Sequence, residues 1–97
     1  MEEIQVQNNE AASRFEVTRG VELAVLDYRR QGNQIVLVHT GVPPALEGQG
    51  VGSALAKTAL EFARQNGLVV VPQCPFVRAY LKRHPEYNSL LAPGWMS

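Results

Sequence analysis

Glycines alternate at positions 48, 50 and 52, and an amphipathic stretch opens within them. Glycine lets a ligand approach the backbone closely and takes φ > 0 at little cost. The first amides of a helix have no partner inside it, and the helix dipole adds to their positive character. A glycine turn running into a helix N-terminus is therefore a place to hold phosphate oxygens; the plainer reading is a loop that needs glycine only to turn. Further on, Cys74 stands directly before Pro75 at the start of a second helical pattern, where a helix N-terminus favours negative charge on sulfur. More often a free cysteine is a small buried hydrophobe. His39 lies just upstream of the glycine turn. Its imidazole is the side chain suited to accept a proton near neutral pH, although a lone histidine on a strand is more often structural.

Two better-known phosphate loops do not fit. The P-loop needs G-x-x-x-x-G-K-[ST], and Lys57-Thr58 lies well inside the helical stretch, not behind a glycine. The dinucleotide fingerprint G-x-G-x-x-G, counted from Gly48, finds Ser53 at its third glycine.

The chain has 97 residues, 45% hydrophobic and 19% charged, which suits one small globular domain spanning 1–97. No apolar run approaches the ~20 residues that span a bilayer, and the acidic, polar start MEEIQVQNNE is unlike a signal peptide. One cysteine excludes an internal disulfide and a multi-cysteine zinc site, and no metal is expected. A reducing, cytoplasmic location follows as the expectation. Net charge is zero, which argues against nucleic acid as a partner. The basic residues nevertheless gather late: Lys57, Arg64, Arg78, Lys82 and Arg83 face only Glu61 and Glu86 over residues 48–97. That half suits an anionic ligand or is an ordinary solvated surface.

The elements that must position these residues read as follows. Asn8 to Ser13 is a polar lead-in. Arg14 to Thr18 alternates as a half-buried strand, Val21 to Arg30 is a second and Gln34 to Thr40 a third, joined by tight turns into an antiparallel meander. On the third strand, strict alternation puts Ile35, Leu37 and His39 on the core face, with Val36, Val38 and Thr40 opposite. Pro43-Pro44 breaks that strand. The helix beginning near Gly50 carries Val51, Leu55, Ala59, Phe62 and Ala63 along one stripe and stops at Asn66-Gly67. Leu68 to Val71, apolar throughout, reads as a strand buried on both faces and, after a crossover helix, parallel to an earlier strand. Pro75 opens a second helix with Phe76, Val77, Tyr80 and Leu81 inward and Arg78, Lys82 and Arg83 outward. A tail with Leu90, Leu91 and Trp95 docks on the domain or on a partner, as in a dimer contact.

This order of elements resembles the GNAT superfamily of acyl-CoA-dependent N-acetyltransferases, most closely its minimal, single-domain, YjdJ-like branch. The residues that carry the resemblance are Val42-Pro43-Pro44, the run from Leu46 to Leu55, Cys74-Pro75-Phe76 and the run from Tyr80 to Tyr87. It covers about Arg14 to Leu90. The fold it implies is α/β (α+β): a mixed sheet with an antiparallel N-terminal meander, a β-α-β crossover and a C-terminal helix. Where the superfamily turn usually begins with Arg or Gln, this chain has Glu47, which repels phosphate and is expected to point away or cap the turn.

The resemblance implies that backbone amides of Gln49, Gly50, Val51, Gly52 and Ser53 hold the pyrophosphate of coenzyme A, with acetyl-CoA as co-substrate. It places the pantetheine arm along the strand holding Val70 and Val71. The 3′-phosphate falls to one of Lys57, Arg78, Lys82 and Arg83, Lys82 being counted among the site residues. Tyr80 stands where such enzymes often place the tyrosine that protonates the departing thiolate, and is otherwise a core aromatic. Cys74 and His39 are the catalytic candidates of the small branch. A nucleophilic Cys74 implies an acetyl-cysteine intermediate and ping-pong kinetics; the commoner route, favoured here, is direct attack by the amine on acetyl-CoA.

The function implied is acetyl transfer to a primary amine, with small amine, peptide and protein lysine all open as acceptors. The alternative is a non-catalytic acyl-CoA-binding module or sensor of the same fold, favoured by the short chain; convergence of Cys74, His39 and Tyr80 on one cleft favours the enzyme. A third reading is an α/β interaction domain without coenzyme. No membrane partner is expected, and the sequence leaves the oligomeric state open.

Overall fold

Alternating apolar residues set the strands, and the computed structural model describes them within residues 4–95. The chain runs β1 (Gln7–Asn9), β2 (Arg14–Arg19), β3 (Glu22–Gln31), β4 (Gln34–Gly41), α1 (Val51–Gln65), β5 (Val69–Pro72) and α2 (Pro75–Arg83). Short 3-10 turns occupy Pro44–Leu46 and Pro85–Leu90. The sheet order is β1-β2-β3-β4-β5, antiparallel up to β4, with β5 parallel to β4. This is the mixed α/β architecture expected from the sequence. Among the described residues no helix is long and apolar enough to cross a membrane.

One face of the sheet carries Phe15, Val17, Ala24, Leu26, Ile35, Leu37 and Val70, all at most 1% exposed. Onto it α1 lays Val51, Leu55, Ala56, Ala59, Leu60 and Ala63, and α2 adds Val77, Tyr80 and Leu81 to the same cluster. Alanines at three of these positions let the α1 backbone lie close to the strands. Each fully buried leucine here contributes about 1.5–3 kcal/mol relative to exposure. Phe62 sits at the rim, edge-on to Phe15 with centroids 5.7 Å apart, and the Arg30 guanidinium lies 5.8 Å from its ring centre.

Four details depart from strict periodicity. The polar lead-in contains β1. Side chains hold that strand: Asn9 donates to Glu16 (3.0 Å), and Tyr28 donates to Asn8 (2.7 Å). Secondly, β5 is not buried on both faces. Val70 and Pro72 are buried while Val69 and Val71 are half-exposed, because both helices pack on the same side of the sheet. Thirdly, Phe76 is 39% exposed and stands outside the α2 stripe.

The fourth concerns β4. Tyr28 faces Leu37 and Asp27 faces His39, so Val38 is an extra residue opposite no partner, a β-bulge. One extra residue exchanges the two faces for everything after it. Thr40, opposite the buried Leu26, therefore turns to the core side, and His39, opposite Asp27, is exposed on the other. Strict alternation predicts the reverse for these two.

The tail docks on its own domain. Leu91 forms a parallel bridge with Val70, the Ala92 amide donates to the Val70 carbonyl at 2.9 Å, and Leu91 and Ala92 are buried. Trp95 packs half-buried against the core.

Candidate functional site

After Gly41 the chain turns through the 3-10 segment into Glu47 and the glycine run. Gly50 caps α1 with φ 80°, a left-handed conformation that strains any residue with a β-carbon. Its carbonyl accepts the first helical bond, from the Ala54 amide at 3.0 Å. No side chain caps the helix, and among the described residues the amides of 49 to 53 have no hydrogen-bond partner. The Gln49 side chain instead ties the loop by donating to the Ala45 carbonyl (3.1 Å). Unpaired amides and the positive end of a fifteen-residue helix thus coincide.

These groups open on a cleft of ≈ 420 Å³. Its walls are Thr40 at the end of β4, Val42 just after it, Leu46 to Gly48 of the loop, the cap Gly50 with Val51 to Ser53 of α1, and Phe76 of α2. The cleft exists because β4 and β5 part: their last pair is Leu37 with Pro72, and β4 continues to Gly41. Gly52 leaves the Phe76 ring its present place. A β-carbon on it would meet the Phe76 ring.

Cys74 caps α2 with its sulfur 3.1 Å from Thr40 Oγ1. Its amide donates to the Leu37 carbonyl (2.9 Å), its carbonyl accepts from the Arg78 amide (3.1 Å), and the residue is 2% exposed. Thr40 stands on the cleft wall; Cys74 lies behind it.

The other candidates lie elsewhere. His39 is on the opposite face of the sheet from Thr40, with its ring beside Gly41. Tyr80 is 5% exposed, stacked on His84 with centroids 4.1 Å apart, and not on the cleft wall. Burial, and after it the nearby Glu86 carboxylate, raises its hydroxyl above the ordinary tyrosine range. Cys74, His39 and Tyr80 therefore do not converge on one cleft.

Of the ligand-binding candidates, Gly50, Val51, Gly52 and Ser53 line the cleft, while Gln49, Val70, Val71 and Lys82 do not. The Val70 carbonyl is already taken by Ala92, and Lys82 is exposed on α2. Arg78 reaches the Pro72 carbonyl at 3.5 Å, and Lys57 borders a second hollow, of ≈ 540 Å³, on the other flank of α1. Glu47 is on the cleft wall, exposed, and its side chain makes no hydrogen bond among the described residues, so it does not cap the turn. Thr40 and Phe76 are wall residues that periodicity did not flag. The bulge hides the first, and the second sat in an apolar stripe.

The sequence profile of the GCN5-related N-acetyl-transferase family matches residues 14–90. The chain is 36% identical to the Gallus gallus protein NATD1 over 95 residues, covering 93% of this chain and 86% of that one. It is 40% identical to Mus musculus NATD1 over 73 residues, which cover 72% and 66% of the two chains. The solution structure of a GCN5-like protein from Staphylococcus aureus superposes with a TM-score of 0.72 at 32% identity, over 95% of this chain and 91% of that one.

Proposed function

The chain belongs to the GCN5-related N-acetyltransferase family, and on that footing we propose that it takes the acetyl group of acetyl-CoA and passes it to a primary amine. The observation that carries this reading is the row of amides over residues 50–53, unpaired among the described residues and opening into a cleft beside the gap between β4 and β5. In this reading the pyrophosphate of coenzyme A sits on those amides. They do most of the charge stabilisation, since no lysine or arginine is on the wall. The pantetheine arm then follows the cleft past Val42 towards Thr40 at the end of β4, rather than running along β5 at Val70 and Val71.

The amine attacks the thioester carbonyl directly. It must arrive uncharged, and the departing thiolate must take up a proton. Of the three catalytic candidates, Cys74 is the one joined to the cleft, through Thr40. His39 lies on the outer face of the sheet, away from the cleft, and Tyr80 serves packing.

The separation of His39 and Tyr80 from the cleft favours a second reading, an acyl-CoA-binding module without turnover. Calorimetric titration with CoA and acetyl-CoA tests the site: micromolar binding, abolished by Gly50→Trp in a protein that remains folded, supports it. Absence of binding to the folded parent removes both readings. Chromatographic detection of CoA released from acetyl-CoA, across small amines, peptides and lysine-bearing proteins, then separates enzyme from module.

A further inference from the structure

Cys74 is the chain's sole cysteine, it is 2% exposed, and its sulfur lies against a residue of the cleft wall rather than on the wall itself. Between sulfur and cleft stands Thr40, with Oγ1 at 3.1 Å from Sγ. Thr40 occupies that place only because of the bulge at Val38, which sends its side chain to the core side. A molecule in the cleft therefore meets the hydroxyl before the thiol.

Resting on the acetyl-CoA reading above, we propose that Thr40 and Cys74 form a proton relay in which Thr40 is the catalytic residue that protonates departing CoA and Cys74 acts through it. With the thiol S–H donating to Oγ1, the Thr40 hydroxyl hydrogen is left to point into the cleft; no other partner for it exists among the described residues. As the tetrahedral adduct collapses, the bond between acetyl carbon and CoA sulfur breaks and its electron pair goes to that sulfur. The CoA sulfur takes the Thr40 hydroxyl proton while Oγ1 takes the Cys74 thiol proton. The hydroxyl is thus restored, and the negative charge ends on Cys74, the N-cap of α2, where the helix dipole favours it. The proton lost by the attacking nitrogen returns to Cys74 by the same path and closes the balance. An alcohol alone is too weak an acid for this step, and a thiol behind it removes the need for an alkoxide. Direct attack by the sulfur on the thioester would instead require Thr40 to leave the wall.

The test uses hydroxylamine as acceptor, because it is small, uncharged at pH 7 and needs no acceptor pocket. CoA release from acetyl-CoA is followed for the full chain and for Thr40→Val, Thr40→Ser, Cys74→Ala and the Thr40→Val/Cys74→Ala double variant. CoA affinity and the thermal midpoint are recorded for each. Loss of a general acid predicts rates lower by about 100-fold for Thr40→Val and Cys74→Ala alike. The double variant should fall no further, since the two act as a unit. Thr40→Ser should restore most of the rate, and the solvent deuterium isotope effect of the parent should shrink in Thr40→Val. CoA affinity should stay within about twofold if the amides carry binding. Full rate in Thr40→Val with a loss in Cys74→Ala, or acetyl on Cys74 by mass spectrometry, would overturn the relay. A parent that binds CoA without accelerating the reaction overturns the relay and leaves the CoA site standing; a parent that binds no CoA overturns both. If Thr40→Val does not fold, a Thr40→Ser rate as low as that of Cys74→Ala overturns the relay.

Discussion

A β-carbon on Gly52 would stand 2.6 Å from Cζ of Phe76, nearer than packed carbons come. Two effects oppose each other in Gly52→Ala. The helix gains about 0.5–1 kcal/mol from the lost glycine. Displacing a ring costs about 1 kcal/mol, the low end of the overpacking range, because Phe76 is part-exposed and can swing. Net stability should therefore change by less than about 1 kcal/mol, while CoA affinity falls as the ring moves within the cleft. In a Phe76→Ala background the same substitution should become stabilising. A double-mutant cycle by chemical denaturation checks this, and no change of sign would show that the ring is not the obstacle.

Glu47 puts a negative charge on the wall of a cleft proposed to hold phosphates. Glu47→Gln should tighten CoA by about 2- to 5-fold at low salt, the worth of one exposed charge pair. The gain should shrink as salt screens it. Titration at two ionic strengths reads both effects, and equal affinities would place the phosphates beyond this charge.

The Tyr87 hydroxyl donates to Glu61 at 2.6 Å and ties the C-terminal 3-10 turn to α1. Burial first, then the carboxylate, pushes this hydroxyl up to about 12. An unfolded tyrosine titrates near ~10. The stability Tyr87 contributes is thus whole below pH ~10 and is lost as pH climbs through about 12. Glu61 is held below the ordinary carboxylate range, by Tyr87 first and by Arg64 next. Its contribution is whole above its ordinary value of 4.5 and is lost as pH falls through its lower folded value. Tyr87→Phe should lower the thermal midpoint near neutral pH and flatten the decline at both extremes. An unchanged midpoint–pH curve would falsify the clamp.

Leu91 is 9% exposed and closes the outer edge of β5 through its bridge with Val70. Leu91→Ala should cost about 2–3 kcal/mol, low in the range for buried leucines because the site lies at an edge. That is a fall of roughly 10 °C or more in thermal midpoint. Removal of residues 91–97 should bare the strand edge and promote self-association, visible by size-exclusion chromatography. A truncated chain that stays monomeric and equally stable would show the tail to be dispensable.

What the amino-acid order determined by itself was local. Alternation in Arg14–Arg19 and Glu22–Gln31, the apolar stripe from Val51 to Ala63, the Gly50 cap and the stop at Asn66-Gly67 follow from periods of 2.0 and 3.6 and from backbone sterics. The parallel return of β5 follows from its place after a helix. Tertiary structure decided what depends on a partner distant in the chain. The three polar residues of β1 become a strand only by pairing with β2 and through the Asn8–Tyr28 and Asn9–Glu16 bonds. The tail could have covered another molecule, and it covers Val70 because β5 has a free edge there. The bulge matters most: nothing in the order Val38-His39-Thr40 announces an extra residue, which exists only relative to β3. By exchanging the two faces it sends His39 outward and sets Thr40 against Cys74, so the side chains at the inner end of the cleft were chosen by strand register.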